Sequence, residues 1–204
     1  MVITRTSKED VLAAFRRTEL LAAARKVFGN KGFEQATVDA IAEEAGVAKG
    51  TVYLYYPSKQ AIYDALFGEG LAELEARVQA RLASARGLKA VIAALVEVKV
   101  RYFLEFPDYY RIYVSEVGRQ LSDQAPKKNP CKVAMDGQAR SLQKRFEQAV
   151  SAGEIRAIDP VAASLAVFDI TRGLVGRRLL TGETSDVATD IEFIIDLIWT
   201  GLAK

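Results

Sequence analysis

Apolar residues recur every three to four positions along most of the chain, which is the period of amphipathic helices. One such set predicts a first helix that begins near Lys8 or Glu9 and ends at Gly29-Asn30, with Gly32 marking the exit from the helix. Its members are Leu20, Ala24, Val27 and Phe28. A second helix is predicted from Val38 to Ala45, with the Thr37 hydroxyl as its N-cap. The chain is therefore expected to start with two consecutive helices.

The stretch from Gly46 to Lys59 predicts a sharp corner followed by a third, short helix. Gly46 permits the backbone conformation that a corner between two helices requires. Pro57 disfavours helical geometry at Tyr56, so the short helix should end there, and Ser58 offers an N-cap to the next helix. This order of helices and corner is the helix-turn-helix arrangement, in which the last helix enters the major groove of DNA.

The remaining chain predicts further helices, separated at positions that contain glycine or proline. They run from Lys59 to about Leu82, from Leu88 to Glu105, onward from Pro107, from Met135 to Ala152, from Pro160 to Thr181, and from about Asp186 to Leu202. A long loop is predicted between Gln120 and Lys132. The predicted fold class is therefore all-α.

The composition excludes several kinds of site. The 204 residues contain no histidine and one cysteine, Cys131, which could sense oxidants if exposed or be inert. A disulfide within the chain is impossible, histidine-based catalysis is excluded, and neither a metal nor a cofactor is expected. The sequence has no apolar signal-peptide core and no uncharged apolar run of about 18 residues, so we expect a cytoplasmic protein without a membrane span.

The net charge of +2 is too small to indicate a polyanionic partner, but the distribution of charge along the chain is informative. Residues 1–33, in the same predicted domain as the turn and short helix, carry seven basic and three acidic side chains. A local basic excess beside such a motif indicates nucleic-acid binding. A solvated helix face would explain the same charges, and this alternative stays open.

The stretch from Leu20 to Lys59 resembles the N-terminal DNA-binding domain of TetR-family regulators in order and spacing. The matching positions are Leu20 to Ala24, Val27-Phe28, Lys31 to Phe33, Ala36 to Val38, Ile41-Ala42, Ala45 to Val47, Lys49 to Tyr53 and Tyr56 to Lys59. Two residues depart from the family pattern: Tyr56 replaces the more frequent Phe, and Leu54 stands where many members carry a basic residue. The resemblance implies a three-helix DNA-binding domain over residues 1–58, a long linking helix over 59–82, and a helical effector-binding and dimerisation domain over 59–204.

Side-chain chemistry and the matching family positions together identify seven candidate DNA-binding residues. They are Thr37, Lys49, Gly50, Thr51, Tyr53, Tyr55 and Lys59. Lys49 and Thr51 are expected at base edges, and Gly50 is expected to permit close approach of the backbone.

The other four candidates are assigned mainly to the DNA backbone. Tyr53 and Lys59 are expected to bind phosphates, Thr37 to hold a phosphate at its helix N-terminus, and Tyr55 to contact either a base or a phosphate. A structural role remains open for each residue, such as capping by Thr37 or core packing by Tyr53.

Aromatic residues cluster around the predicted break at Pro107. They are Tyr102, Phe103, Phe106, Tyr109, Tyr110 and Tyr113. A packed helical core explains them, and so does the wall of a small-molecule cavity, which is mostly apolar with a few hydroxyl groups. The resemblance favours the cavity, because many TetR-like regulators bind an effector between the corresponding helices. We include Phe168 among the candidate cavity residues.

The last helix is apolar over a very broad surface, and one chain has few partners left to cover it. Two helices from each of two subunits would form a four-helix interface, which TetR-like proteins also use, so we expect a homodimer. The candidate interface residues are Leu165, Phe168, Leu179, Ile191, Ile194, Ile195 and Ile198.

These observations lead us to expect a ligand-responsive repressor that binds a palindromic operator in double-stranded DNA as a dimer. An enzyme is not expected, because neither a P-loop pattern nor a dinucleotide fingerprint is present. Two alternatives remain, namely a TetR-like activator and a helical protein–protein adaptor with a vestigial DNA reader. Intact Lys49, Thr51 and Lys59 count against the adaptor.

Overall fold

The computed structural model describes residues 8–120 and 130–203, apart from the side chains of Pro130 and Ala134. Within these residues every regular element is a helix, which confirms the all-α prediction. The helices are α1 (Lys8–Gln35), α2 (Val38–Glu44), α3 (Lys49–Tyr55), α4 (Lys59–Leu82), α5 (Gly87–Glu105), α6 (Pro107–Gln120), α7 (Pro130–Ser151), α8 (Pro160–Thr181) and α9 (Val187–Leu202). None of these helices is long and apolar enough to cross a bilayer.

The end of α1 differs from the prediction. Gly29 does not stop the helix but is buried inside it, where an added Cβ atom would lie 2.8 Å from the Cβ atom of Asp108 on α6. Its role is to let two helices approach closely. The backbone departs from helical geometry three residues later, at Gly32, where φ is 71°.

Local side-chain signals place the starts of α2, α4 and α8 correctly. The Thr37 hydroxyl accepts the Ala40 N–H at 3.1 Å, and the Ser58 hydroxyl accepts the Ala61 N–H at the same distance. Asp159 caps α8. The predicted loop between Gln120 and Lys132 lies largely outside the described residues, but α7 already begins at Pro130, because proline is favoured in a first helical turn.

The chain forms two compact units. Of the described residues, the first unit holds 8–69 and 108–120, and the second holds 70–107 and 130–203. The division falls inside α4, and α6 belongs with the DNA-binding helices, whereas the sequence suggested a boundary at residues 58 and 59. That boundary stays a prediction.

Aromatic rings form much of the core of the first unit. The Tyr63 ring on α4 lies 5.2 Å from the Phe28 ring and 4.9 Å from the Phe33 ring, measured between centroids. Phe67 stacks on Tyr113 of α6 at 6.3 Å. These contacts fasten α1, α4 and α6 together, and the caps described above fix where α2 and α4 begin.

The second unit is built around α5. This helix packs against α8 and α9, and α7 packs against α8. The core of the second unit is aliphatic for the most part, with Val96, Val167 and Val175 fully buried. Arg178 is also buried and pairs with Asp190, which joins the end of α8 to α9.

Candidate functional site

The α3 helix is anchored in the first unit through Val52, the residue that it buries completely. The corner before it is made at Gly46, whose φ of 65° lies in the left-handed region that favours glycine. Successive helical residues are rotated by about 100°, so Gly50 and Leu54 lie on the side of α3 opposite to Val52. Both are exposed. This side of the helix is the candidate reading face.

Lys49 stands at the start of α3 and forms an ion pair with Asp39 of α2, with 2.8 Å between Nζ and Oδ2. The hydrogen bond and the charge of Asp39 raise the pKa of Lys49. About half or more of each side chain is exposed, and exposed pairs of this kind contribute little to stability. The lysine can therefore exchange Asp39 for an acceptor on DNA at small cost.

Three predicted residues of α3 differ in exposure. Thr51 and Tyr55 are half-buried, whereas Tyr53 is 46% exposed. The core-packing alternative for Tyr53 is therefore wrong. Thr51 and Tyr53 flank the reading face on its two sides, and Tyr55 lies farther towards the buried side.

Two predicted phosphate-binding residues are engaged with the chain itself. The Thr37 hydroxyl caps α2, which is the structural alternative that the sequence left open. The Lys59 ammonium donates to the carbonyl oxygens of Phe33 at 2.8 Å, Glu34 at 3.3 Å and Ala36 at 3.0 Å. An ammonium group has three N–H donors, so these contacts occupy its donor capacity. Phosphate binding by Thr37 and Lys59 stays a prediction, and this geometry counts against it.

The second unit contains a small cavity of about 30 Å³ between α4, α5, α7 and α8. Its walls combine aliphatic and charged side chains. They are Glu75, Val78, Gln79, Leu82, Leu95, Lys99, Gln138, Ser141, Leu142, Arg145 and Phe168. A volume of this size accommodates about one water molecule, far less than the several hundred Å³ of a typical ligand site.

Lys99 is the most unusual residue of this cavity because it is 5% exposed. Its Nζ atom donates to Oε1 of Gln138 at 3.0 Å and lies 4.5 Å from the centroid of the Phe168 ring. Burial lowers the pKa of Lys99 to about 8, and the charge of Glu75 acts in the opposite direction. Glu75 in turn accepts a hydrogen bond from Gln138 at 3.3 Å. With Arg145 included, the cavity holds two cationic side chains and one anionic side chain.

The comparison with known proteins agrees with this geometry. Residues 20–66 match the family described as bacterial regulatory proteins, tetR family, and the match contains α2, α3 and the corner between them. The chain belongs to the TetR family of transcriptional regulators. This family consists of transcription regulators and not of enzymes, which confirms the expectation of a DNA-binding protein without catalytic activity.

Individual relatives extend the similarity beyond this segment. The TetR-family chain is 41% identical over 58 residues to the uncharacterized HTH-type transcriptional regulator YfiR of Bacillus subtilis, a match that covers 28% of each protein. A TetR-family transcription regulator from Marinobacter aquaeolei VT8 shares the fold with a TM-score of 0.80 at 19% identity, over 97% of this chain and 100% of that one. FadR from Bacillus subtilis, solved in complex with stearoyl-CoA, has a TM-score of 0.76 at 21% identity, over 89% of this chain and 96% of the FadR chain.

Among the seven aromatic residues predicted to line a cavity, Phe168 lines the cavity beside Lys99 in this TetR-family chain. The other six lie elsewhere and are engaged in packing. For example, the Tyr102 hydroxyl donates to the Gly70 carbonyl, and the Tyr109 hydroxyl donates to the Phe67 carbonyl, each at 2.9 Å. Sequence reasoning missed Lys99, although a lysine three residues after buried Val96 interrupts an apolar stripe and could have revealed it.

The predicted dimer surface needs a correction. Ile191, Ile194 and Ile198 are buried within the chain's own core, so their side chains are not available to a partner. The α9 helix is apolar over a broad surface, and its sequence alone does not tell which part of that surface faces inward. The structure exposes Phe193 and Leu197 instead, which are 66% and 53% accessible and one helical turn apart.

The remaining interface candidates differ in exposure. Leu165 is half exposed, and Leu179, Ile195 and Phe168 are half-buried. Phe168 also belongs to the cavity, where its ring faces Lys99.

Proposed function

We propose that this TetR-family regulator is a ligand-responsive repressor that reads a palindromic operator with α3. The observation that carries the proposal is the reading face of α3, which turns away from buried Val52 and is bordered by Thr51 and Tyr53, with the exposed Lys49 at the start of the helix. A cation, a hydroxyl and a phenol around an exposed helix face are the groups that bind phosphates and base edges.

A homodimer supplies the second reading helix. In helix-turn-helix dimers the two reading helices occupy successive major grooves about 34–36 Å apart, which makes the operator roughly palindromic. The proposed interface uses Leu165, Leu179 and Ile195 from the original candidates, together with the exposed Phe193 and Leu197. Large exposed apolar residues on neighbouring helices α8 and α9 support an interface there.

The effector is proposed to be an organic anion with an aliphatic body, bound at the cavity of the second unit. Lys99 and Arg145 would attract the anionic group, and Val78, Leu82 and Leu95 would contact the apolar part. The structurally similar FadR was solved with stearoyl-CoA, a ligand that combines an aliphatic chain with anionic groups. We therefore take long-chain acyl-CoA as the first candidate of this class.

Binding must enlarge the cavity, because about 30 Å³ does not hold an aliphatic chain. An effector that binds the enlarged form more tightly shifts the population towards that form. The size of the shift is set by the difference between the effector's affinities for the enlarged and the compact form. The continuous α4 helix runs from Lys59, four residues after the end of α3, to Leu82 at the cavity. We propose that displacement of α4 changes the position of the reading helices and lowers DNA affinity.

DNA reading is tested by selecting binding sites from a random duplex library with the unsubstituted protein and with Thr51→Ala in parallel. A palindromic consensus that Thr51→Ala weakens or relaxes supports the proposal. If no sequence is enriched at low salt by a folded, dimeric sample, the proposal is wrong and a protein–protein adaptor becomes the better explanation.

The effector is tested on the protein–operator complex with stearoyl-CoA as the probe. We expect release of DNA, with a weaker effect of stearoyl-CoA for Lys99→Met and an unchanged effect for the surface control Lys144→Met. Release should also be weaker at pH 9 than at pH 7, because Lys99, with a pKa of about 8, then loses its positive charge. An unchanged response of Lys99→Met would remove Lys99 from the effector site.

A further inference from the structure

Leu54 occupies an unusual position on the reading helix. Its side chain is 82% exposed, although it is one of seven residues in α3. By the helical period it lies about 160° from Val52, so it points away from the residue that anchors the helix. Single exposed leucines are ordinary on protein surfaces. Leu54 differs from such a leucine because it lies at the outermost point of the proposed DNA-reading helix, where bound DNA would cover its side chain.

Gly50 lies one turn earlier on the same side. A Cβ atom added there would meet nothing within 4 Å, and its φ is not positive, so nothing in the described chain requires a glycine. Glycine inside a helix is less stable than alanine by about 1 kcal/mol. The reading face thus combines a residue without a side chain and a residue with a large apolar one.

The major groove offers one apolar feature, the 5-methyl group of thymine, and apolar side chains recognise thymine by contacting this group. We propose that Leu54 determines part of the operator specificity by packing against the methyl group of one thymine in each half-site. The leucine side chain has no polar atom with which to bind a phosphate or a hydrogen-bond acceptor, so an apolar group is the feature of DNA that it can recognise. This inference rests on the proposed DNA-binding function of α3.

The proposal is tested with the operator that the library selection yields. Each thymine of the half-site is replaced in turn by deoxyuridine, which removes the methyl group and keeps every hydrogen-bonding atom. Affinities of the full-length protein are measured for the unsubstituted chain, for Leu54→Ala, and for Leu54→Met, which keeps an apolar side chain of similar reach. Val133→Ala removes a side chain that is 67% exposed on α7 and serves as the matched control.

We expect one thymine position at which loss of the methyl group lowers the affinity of the unsubstituted protein by about fourfold per half-site, the effect of burying one such group. Leu54→Ala should bind the thymine operator more weakly by a similar factor and be indifferent to deoxyuridine at that position. Leu54→Met should regain much of the sensitivity, and Val133→Ala should behave as the unsubstituted protein does.

Three results would overturn the proposal while DNA binding itself stands. In the first, Leu54→Ala keeps the full sensitivity to deoxyuridine, so that another residue reads the methyl group. In the second, no thymine position is sensitive in the unsubstituted protein. In the third, Leu54→Ala changes the oligomeric state and leaves the thymine response intact, so that a second copy of the chain covers Leu54. Failure of the library selection would instead contradict the proposed function.

Discussion

Lys59 binds Phe33 twice, through its backbone and through its ring. The ammonium group donates to the Phe33 carbonyl oxygen at 2.8 Å and lies 4.4 Å from the centroid of the Phe33 ring. The same group also donates to Ala36 near the end of α1. Carbonyl groups at a helix C-terminus have no partner within the helix, and a cation there is favourable. Lys59 thus connects the start of α4 to the end of α1.

Lys59→Ala is therefore expected to lower the stability of the protein and to leave the salt dependence of its DNA affinity unchanged. We expect the free energy of unfolding to fall by about 2 kcal/mol, because partly buried carbonyl groups lose a charged donor. The slope of DNA affinity against salt concentration should stay unchanged in folded protein. Urea denaturation and binding titrations at several salt concentrations measure the two quantities, with Lys144→Ala, an exposed lysine of α7, as the control. A slope that falls by about one unit at unchanged stability would instead make Lys59 a phosphate ligand.

Gly50→Ala should change stability and DNA binding in opposite directions. Alanine favours the helix by up to about 1 kcal/mol, and the free chain has space for its methyl group. The same methyl group stands between the reading face and the base pairs, so we expect operator affinity to fall about tenfold or more. Thermal unfolding and operator titration measure the two effects.

Gly68→Ala is the matched control for this substitution. Gly68 is an exposed helical glycine in α4 with equally open surroundings. We expect the Gly68→Ala protein to gain stability in the same way and to keep its operator affinity unchanged. Unaltered operator affinity in Gly50→Ala would show that close backbone approach is not required.

A buried carboxylate in the first unit should be costly to remove. Glu116 of α6 is completely buried and accepts hydrogen bonds from the Tyr63 hydroxyl and from Arg119, each at 3.2 Å. Glu116→Ala leaves a phenol and a guanidinium without their anionic partner, and we expect a loss of about 3 kcal/mol in the free energy of unfolding. Tyr63→Phe, which removes a single hydrogen bond, should cost about 1 kcal/mol.

Chemical denaturation of both variants tests this ordering, and Ser115→Ala on the exposed side of α6 is the control. If Glu116→Ala were as stable as the unsubstituted protein, the carboxylate would contribute nothing to the packing of α6 against α4.

The helices were predictable wherever a local side-chain signal fixes them. Thr37 and Ser58 cap helices through hydroxyl groups only three residues from the N–H groups that they accept, so sequence spacing suffices. Gly29 was misinterpreted as a helix stop, because the contact that explains it is with Asp108, far away in sequence. A glycine signals a need for space or for unusual backbone geometry, and sequence alone does not tell which.

The reading face was predictable and the cavity was not. Lys49, Thr51 and Tyr53 belong to one short helix whose motif is local. The cavity instead draws Lys99, Gln138 and other residues from four helices, and no periodicity within one helix shows which of its neighbours will share a cavity. The same reason explains why the sequence assigned Ile194 to the interface: the apolar surface of α9 is broader than the part that the chain's own core covers.

Lys99 should make stability depend on pH. Its pKa is lowered from its ordinary value of 10.5 to about 8, so the unfolded chain binds more protons than the folded chain between these values. Stability from this group therefore rises with pH through that range, and the penalty of burying the charge is fully present below about pH 8. Lys99→Met removes the penalty and should stabilise the protein at pH 7 by up to about 3 kcal/mol.

Denaturation of Lys99→Met and of the unsubstituted protein at pH 7 and pH 10 tests this expectation. The stabilising effect should shrink at the higher pH, where Lys99 is largely neutral in the folded chain. The exposed Lys144→Met should show no such dependence. An effect of equal size at pH 7 and pH 10 would mean that packing, and not charge, determines the difference in stability between the two proteins.

The exposed side of α9 should control dimer formation. Phe193 and Leu197 lie one turn apart and are both more than half exposed, whereas neighbouring Ile194 is buried in the chain's own core. Leu197→Glu places a charge on the proposed interface without entering the core, so we expect a folded monomer of 22.4 kDa. Because a palindromic operator needs two reading helices, its affinity should fall to that of a half-site. Sedimentation analysis and operator titration measure these outcomes, with Val133→Glu on α7 as the control. A Leu197→Glu protein that stays dimeric would show that α9 does not contribute the interface.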